Sequence, residues 1–212
     1  MDFELQEKYI LYGASFNPPH IGHFSAISQM LEEYDKVIVF PYPKKFYTEK
    51  EEVLPPIIQR LKMLELFAEE FFPQMIDRLL IVNLASEIKK VHEENTIVHT
   101  YDYLNFVKKK IPENVILSVC LGFDAQNFLR KEKFYNEELM KKEYPHFFLQ
   151  EENSIRSEDL RNFFSNHNNI KSQKDEKYIR SIVGNALAEY IFKNNLYGLK
   201  NKNFSNSKKI KL

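Results

Sequence analysis

The feature that most constrains the fold is an alternation between short apolar runs and stretches of helical periodicity. The apolar runs occur at residues 9–11, 37–40, 79–84, 115–121 and 146–149. They are nearly all apolar instead of alternating in polarity, which is typical of strands covered by helices on both faces. Strands that alternate with helices are joined by right-handed crossovers. The pattern therefore predicts an α/β fold with a parallel sheet flanked by helices.

Between and after these runs, apolar residues recur at spacings of three and four, as on one face of a helix. Helices are predicted over residues 21–34, 57–71, 158–164 and 179–194. Ser157 is expected to cap the third of them. Since the chain is mostly helical after Leu149, we expect a single domain over residues 1–198 whose helical part begins at about residue 151.

Composition excludes several classes of protein. The 212 residues suffice for one sizeable core, and no apolar run approaches the roughly 20 residues that span a bilayer. The one cysteine, Cys120, excludes an internal disulfide and favours the reducing cytoplasm. Residues 199–212 hold five lysines and no acid, so the remainder has a net charge of −5. An acidic body argues against nucleic-acid binding, and we expect the basic tail to be solvated and flexible.

The first strand leads directly into the segment GASFNPPHIGH, from Gly13 to His23. Gly13 would permit a sharp exit from the strand. His20 and His23 lie three apart where a helix begins, so their rings share one side, at an end that attracts phosphate through its free N–H groups. Gly22 would let the anion approach closely. We therefore expect a cationic cradle for phosphate. No cysteine or carboxylate stands nearby to complete a metal site.

This segment resembles the G-x-F-x-P-x-H-x-G-H signature of the HIGH-motif nucleotidyltransferase superfamily, and within it the bacterial nicotinate mononucleotide adenylyltransferases. Class I aminoacyl-tRNA synthetases share the HIGH element, but this chain is too short and has no KMSKS-like sequence. The resemblance implies a Rossmann-like sheet. It also implies a reaction in NAD biosynthesis, in which ATP and nicotinate or nicotinamide mononucleotide form a pyridine dinucleotide and pyrophosphate.

Further segments resemble the same family in the same order along the chain. They are the loop 41–56 with the R-x-x-M-L helix from Arg60, the T-x-D-T-L-like segment from Thr100, the G-x-D from Gly122, the I-S-S-T-x-I-R-like element 155–161, and a closing helix over 183–198 that ends in a Leu-Tyr pair. In the family, the I-S-S-T-x-I-R element grips the ATP phosphates and the threonine helps to hold the pyridine nucleotide. The likeness covers nearly the whole chain.

The resemblance also implies the residues of the site. His20, His23 and Arg161 would be catalytic by holding the ATP phosphates. The ATP-binding set would be Gly13, Ser15, Phe16, His20, Gly22, His23, Gly122, Asp124, Ile155, Arg156, Ser157 and Arg161. The acceptor-binding set would be Asn17, Lys44, Lys45, Arg60, Thr100, Phe134 and Tyr135. Mg²⁺ would arrive with ATP, because it prefers oxygen ligands and keeps its waters.

Simpler interpretations of several of these residues stay open. Asp124 is either a ribose ligand or a loop cap. The pair Lys44 and Lys45 either binds the acceptor phosphate or is solvated. Arg60 either binds substrate or forms an exposed ion pair, and Thr100 either binds the pyridine substituent or caps a helix.

The sequence departs from the family pattern at a few positions. Arg156 and Glu158 replace a serine and a threonine of the phosphate element, and we expect Glu158 to face solvent. There is no tryptophan to stack on the pyridine ring, so Phe134 or Tyr135 would serve instead. Gly184 stands where proline is usual. An adenylyltransferase for pantetheine phosphate or a flavin mononucleotide, or an inactive nucleotide-binding module, is the alternative, and the sequence leaves the oligomeric state open.

Overall fold

The computed structural model describes residues 6–43, 55–89, 98–122, 135–150, 155–166 and 173–198. Five parallel strands form one sheet in the order β3-β2-β1-β4-β5. They are β1 (Lys8–Ala14), β2 (Lys36–Pro41), β3 (Leu79–Ile81), β4 (Ile116–Leu121) and β5 (His146–Phe148). This confirms the predicted α/β fold.

The order of the strands locates the place where a ligand would bind. The chain runs from β1 outward through β2 to β3, and then returns to the other side of β1 for β4 and β5. The direction of winding therefore reverses between β1 and β4, whose residues Leu11 and Val119 are partners in the sheet. Crevices at such a switch point, beyond the carboxyl ends of the strands, are where open α/β sheets bind ligands.

The helices of the described residues lie between and after the strands. They are α1 (Ile21–Glu33), α2 (Ile57–Phe71), α3 (Leu84–Lys89), α4 (Thr100–Lys108), α5 (Glu137–Glu143), α6 (Ser157–Asn166), α7 (Gln173–Val183) and α8 (Asn185–Lys193), with short 3₁₀ turns at Ile76–Arg78 and Leu196–Gly198. The helices predicted from periodicity over 21–34 and 57–71 are confirmed as α1 and α2.

Helices cover both faces of the sheet, and this explains the unbroken apolar character of the strands. Ile10 and Tyr12 of β1 pack in a core with α1, α2, α6, α7 and α8. Leu11, their neighbour on the opposite face, packs in a second core with α3, α4 and α5. Since successive side chains of a strand point to opposite faces, both sets must be apolar.

Two predicted element boundaries are wrong. The run 79–84 is not one strand, because β3 ends at Ile81 and Leu84 begins α3. Ser157 does not precede its helix but begins it, and its hydroxyl donates a hydrogen bond to the carbonyl oxygen of Pro18 at 3.2 Å. This side chain therefore ties α6 to the loop that follows β1.

The single helix predicted over 179–194 is also wrong, because Gly184 divides it into α7 and α8. Gly184 has φ of +90°, a conformation that side chains disfavour. Glu70 of α2 occupies the N-terminus of α8, where its Oε1 accepts from Asn185 N at 2.8 Å and its Oε2 from Ala186 N at 2.9 Å. A carboxylate from another element thus caps the helix.

None of the helices in the described residues has the length and apolar character that are needed to cross a membrane.

We predict that Glu70→Ala lowers the free energy of unfolding by about 1–2 kcal/mol, the usual cost of losing a cap together with a favourable charge at a helix N-terminus. Urea unfolding monitored by circular dichroism would measure it. Glu69→Ala is the matched control, because Glu69 is the exposed neighbour on the same helix. Equal effects of the two substitutions would contradict the capping role.

Candidate active site

The two histidines of the first loop lie side by side at the start of α1. His20 is the residue before the helix, and its Nδ1 accepts a hydrogen bond from Gly22 N at 3.1 Å. The Nδ1 of His23 accepts from His20 N at 3.2 Å. The rings thus bond two backbone N–H groups at the helix N-terminus. Because each Nδ1 is an acceptor, each neutral ring carries its proton on Nε2 and has one N–H left to donate.

Burial keeps both rings uncharged. The His20 and His23 side chains are nearly inaccessible to solvent, and their ring centroids are 4.0 Å apart. Burial lowers the pKa of His20 to about 4; the carboxylate of Asp159 opposes this shift and the charge of Arg161 adds to it. Burial and the neighbouring His20 hold the pKa of His23 well below its usual range. The expected cationic pair is therefore, in the ligand-free chain, a pair of neutral N–H donors.

Phe16 packs against the ring of His23. It is fully buried, and its ring lies 4.7 Å from that of His23 and edge-on to Tyr12 at 5.5 Å. Its backbone has φ of +45°, which costs a residue with a side chain about 1–3 kcal/mol. The residue is inaccessible to solvent, and its side chain belongs to the core, so the Phe16 ring itself does not contact a ligand.

Asn17 is fully buried and is held by two separate contacts. Its side-chain Oδ1 accepts from the hydroxyl of Tyr197 at 2.7 Å, and its carbonyl oxygen accepts from Arg161 Nη1 at 2.9 Å. Its Nδ2 has no hydrogen-bond partner within the described ranges. Buried donors are rarely left unpaired, so this N–H group is a candidate for contact with a ligand.

The segment that begins α6 packs directly on the histidine loop. Arg161 and Ser157 bond the carbonyl oxygens of Asn17 and Pro18. The carbonyl oxygen of Ile155 would lie 3.0 Å from a Cβ at Gly22, and the His20 ring would be as close. The structure thus brings together two segments that the resemblance assigned to ATP. The missing side chain at Gly22 makes room for these protein groups.

The two departures in this segment both face solvent. Arg156 and Glu158 are exposed, as expected for Glu158. The backbone N–H of Arg156 donates to the Asp159 carboxylate at 3.0 Å, which satisfies one N–H group at the start of α6. The exposed carboxylate of Glu158 is screened by water, so it adds little repulsion to a bound phosphate.

Arg60 is buried instead of forming the exposed ion pair that was one of the alternatives. Only 1% of its surface is accessible. Its Nε donates to the carbonyl oxygen of Pro55 at 3.0 Å, and its Nη1 donates to those of Ser15 at 2.9 Å and Tyr42 at 2.7 Å. No carboxylate of the described residues pairs with this guanidinium. It therefore joins the loops that follow β1 and β2 and adds a positive charge beneath them.

Gly13 serves a different purpose from the sharp exit predicted for it. It lies within β1, and a Cβ there would come within 2.5 Å of Tyr42 Cζ. Tyr42 in turn places its hydroxyl 3.4 Å from Thr100 Oγ1. The residue that precedes α4 is His99, whose N–H donates to Asp102 at 2.8 Å, so the interpretation of Thr100 as a cap is wrong.

An aromatic pair formed by the exposed Tyr135 and the half-buried His99 adjoins Thr100. The ring of Tyr135 is 51% exposed and stacks on His99, with centroids 4.4 Å apart and planes 20° from parallel. After the end of β4, a Cβ on Gly122 would meet no atom of the described residues within 4 Å. Four other residues of the predicted site lie outside the described residues: Lys44, Lys45, Asp124 and Phe134.

Sequence reasoning missed Tyr197, which reaches the first loop from the end of the described chain. Besides its bond to Asn17, its ring stacks on Phe164 with centroids 5.1 Å apart. Its position in the Leu-Tyr pair was the available signal, but no pattern linked that pair to residue 17. Within the described ranges, no group of three or more histidine, cysteine, aspartate or glutamate side chains is arranged to hold a metal ion.

The chain is similar to several known proteins over most of its length. A "Probable nicotinate-nucleotide adenylyltransferase" of Leptospira interrogans is 28% identical over 202 residues, which cover 88% of this chain and 95% of that protein. The solved structure of Plasmodium falciparum nicotinic acid mononucleotide adenylyltransferase complexed with NaAD matches with a TM-score of 0.65 at 15% identity, over 90% of this chain and 97% of that one.

A Vibrio parahaemolyticus structure described as a candidate nicotinate-nucleotide adenylyltransferase also matches with a TM-score of 0.65, at 22% identity, over 87% of this chain and 98% of that one. At these identities the two structures establish a shared fold. The sequence profile of the cytidylyltransferase-like family matches residues 11–163, which include the second half of β1, the histidine loop and most of α6. The resemblance noted in the sequence is thus confirmed, and the chain belongs to the cytidylyltransferase-like family of nucleotidyltransferases.

Proposed function

We propose that this chain is an adenylyltransferase that joins ATP to nicotinate or nicotinamide mononucleotide, forming a pyridine dinucleotide and pyrophosphate in NAD biosynthesis. The observation that carries the proposal is the pair of Nε2–H donors of His20 and His23 beside Arg161, at the switch point of the sheet. The name of the Leptospira relative supports the choice of acceptor. The cytoplasm, where thiols stay reduced, suits a chain whose single cysteine is buried.

In this reaction a phosphate oxygen of the mononucleotide attacks the α-phosphorus of ATP. A new P–O bond forms, the bond between the α-phosphorus and the bridging oxygen breaks, and that oxygen leaves with pyrophosphate. The nucleophile is already anionic, so the site needs no general base. Catalysis then consists of alignment and of stabilising the charge that develops on the phosphoryl oxygens.

The described residues supply the groups for that stabilisation. His20 and His23 each donate an Nε2–H to phosphate oxygens, and Arg161 adds a charged donor fork. Neutral imidazoles suit the task, because their donors are held in place by the backbone and need no change of protonation before ATP binds. Mg²⁺ enters as part of the substrate, coordinated by the triphosphate oxygens.

The acceptor would lie toward Thr100 and Tyr135. The exposed Tyr135 ring, backed by His99, offers a flat surface for a pyridine ring, and the Thr100 hydroxyl offers a hydrogen bond to its carboxylate or amide. An adenylyltransferase for another phosphorylated acceptor remains the alternative. An inactive binding module is less well supported, because the Glu158 carboxylate that would oppose ATP is exposed.

Pyrophosphate release tests the proposal directly. We expect release from MgATP in the presence of nicotinate or nicotinamide mononucleotide, with the dinucleotide detected by mass spectrometry. Parallel reactions contain pantetheine phosphate, flavin mononucleotide or no acceptor. Release with only one of the other acceptors would replace the pyridine assignment, and ATP binding without release would support the inactive module.

Two substitutions separate the two nitrogens of His23. An asparagine at position 23 keeps an acceptor near the place of Nδ1, so it can still bond His20 N. It has no donor at the place of Nε2. We predict that His23→Asn lowers kcat/KM by about 100-fold or more, as for other donors to developing charge, with little change in Tm. His23→Gln places a donor nearer Nε2 and loses the cap, so it should retain more activity and less stability. Steady-state kinetics and thermal unfolding would rank the variants.

The matched control is His146→Asn, which changes a histidine of β5 away from the histidine loop and should leave kcat/KM near its normal value. A near-normal rate in folded His23→Asn would remove His23 from the mechanism.

The buried histidines also predict how stability depends on pH. The pKa of His20 is about 4 in the folded chain against its ordinary 6.5, so between these values the unfolded state binds more protons. Stability is therefore present above pH 6.5 and declines on acidification. From pH 7.5 to pH 5, His20 alone should lower the free energy of unfolding by about 2 kcal/mol.

The comparison variant is His20→Asn, whose side chain can still accept from Gly22 N but does not titrate in this range. Its loss of stability between pH 7.5 and pH 5, measured by urea unfolding, should be smaller by the same amount. Identical pH dependence in the two proteins would show that His20 is not held neutral by the fold.

A further inference from the structure

We infer that Tyr197 is a positioning residue, whose hydroxyl fixes the side-chain amide of Asn17 so that Nδ2 donates to a phosphate oxygen of a bound substrate. This inference rests on the proposed function, because it concerns the same site. It assigns a role in the reaction to a 3₁₀ turn at the far end of the described chain, 180 residues from Asn17.

The hydrogen bond between the two side chains runs from the phenol of Tyr197 to the amide oxygen of Asn17. Burial raises the pKa of Tyr197, so the phenol keeps its proton at neutral pH. The positive charges of Arg161 and Arg60 lie close enough to act on the phenol, and they attract the lone pairs of its oxygen. The proton therefore points the other way, to the Asn17 oxygen at 2.7 Å.

The orientation of the Asn17 amide follows from the hydrogen bond that its oxygen accepts. An amide has an oxygen and a nitrogen of similar size, and its neighbours decide which way it is turned. Because the phenol donates, Oδ1 of Asn17 faces Tyr197 and Nδ2 faces away from it. That Nδ2 is buried and has no partner within the described ranges. An unpaired buried donor is costly, and a phosphate oxygen would satisfy it.

Tyr197 is itself held in place by contacts with α6 and α2. Its ring stacks on Phe164 of α6, and its hydroxyl also lies 3.9 Å from Met63 Sδ of α2. Its backbone has φ of +59°, an unfavourable conformation for a residue with a side chain. Surrounding contacts therefore impose this geometry. Since Arg161 of the same α6 bonds the Asn17 carbonyl oxygen, both the side chain and the backbone of Asn17 are fixed by the C-terminal part of the chain.

Tyr197→Phe removes the hydroxyl and keeps the ring that packs on Phe164. We expect kcat/KM to fall about 5- to 30-fold, the loss of one well-placed hydrogen bond at about 1–2 kcal/mol. Tyr178→Phe is the control, because Tyr178 is an exposed residue of α7. KM is measured separately for ATP and for the mononucleotide. The substrate whose KM changes is the one that Nδ2 of Asn17 contacts.

A double-mutant cycle with Asn17→Ala distinguishes positioning from a general structural effect. If Tyr197 acts through Asn17, the double variant is no slower than Asn17→Ala alone. An equal loss from Tyr197→Phe with and without Asn17 would overturn the inference, and so would an unchanged rate in the single variant. Should Asn17→Ala fail to fold, Asn17→Asp, which keeps an acceptor for the phenol and replaces the donor, completes the cycle.

The same cycle is measured on the affinity for MgATP by calorimetry, without acceptor. A wild-type chain that binds MgATP but releases no pyrophosphate with either pyridine mononucleotide would overturn the proposed function. In that case the same cycle is also measured on the affinity for each pyridine mononucleotide, and the inference is judged on binding alone: non-additive losses in affinity for one of the ligands support it, and additive or absent losses for all of them overturn it.

Discussion

The site depends on two hydrogen bonds in which histidine side chains accept backbone N–H groups at the start of α1. Any residue with a suitable oxygen could cap a helix in this way, but an imidazole has a second nitrogen on the opposite side of its ring. Using Nδ1 for the helix fixes both the position of the ring and the tautomer, so His20 and His23 each keep a donor at Nε2. The interactions that stabilise the local fold thus prepare the chemistry. The burial that holds the two imidazole rings rigid also keeps them uncharged.

If the imidazoles are neutral, other groups must supply the positive charge that a triphosphate requires. Arg60 and Arg161 donate to backbone carbonyl oxygens of the first loop, and Arg60 has no described carboxylate beside it. A carbonyl oxygen satisfies an N–H group without cancelling the charge, as a carboxylate would. Arg60 therefore braces the loop, and no carboxylate of the described residues cancels its charge. A bound anion stabilises a buried positive charge, so this guanidinium suits a site for a negatively charged ligand.

Features that depend on residues close in the sequence could be predicted from it, whereas features that depend on residues far apart in the sequence could not. Strands, α1, α2 and the histidine pair depend on residues close in sequence, so apolar periodicity and the spacing of His20 and His23 sufficed to predict them. The break at Gly184 depends on Glu70, more than a hundred residues away, and periodicity does not encode it. Gly13 was misinterpreted for the same reason, because it accommodates the ring of Tyr42, which follows the neighbouring strand β2. The buried position of Arg60 also follows from carbonyl groups of two loops that only the fold brings together.

The contacts that join distant segments converge on the first loop, and this concentration has a physical consequence. Asn17 is held by α6 and by the turn at Leu196–Gly198, while Ser15 is held by α2 through Arg60. A loop with φ of +45° at Phe16 would relax if left alone, so it keeps its conformation only while these contacts persist. Packing of the C-terminal helices and geometry of the phosphate site are therefore coupled. Substitutions of Gly184 and Glu70 are expected to act on the reaction through this coupling, although Glu70 lies on α2 and Gly184 lies between α7 and α8, and neither is in the site itself.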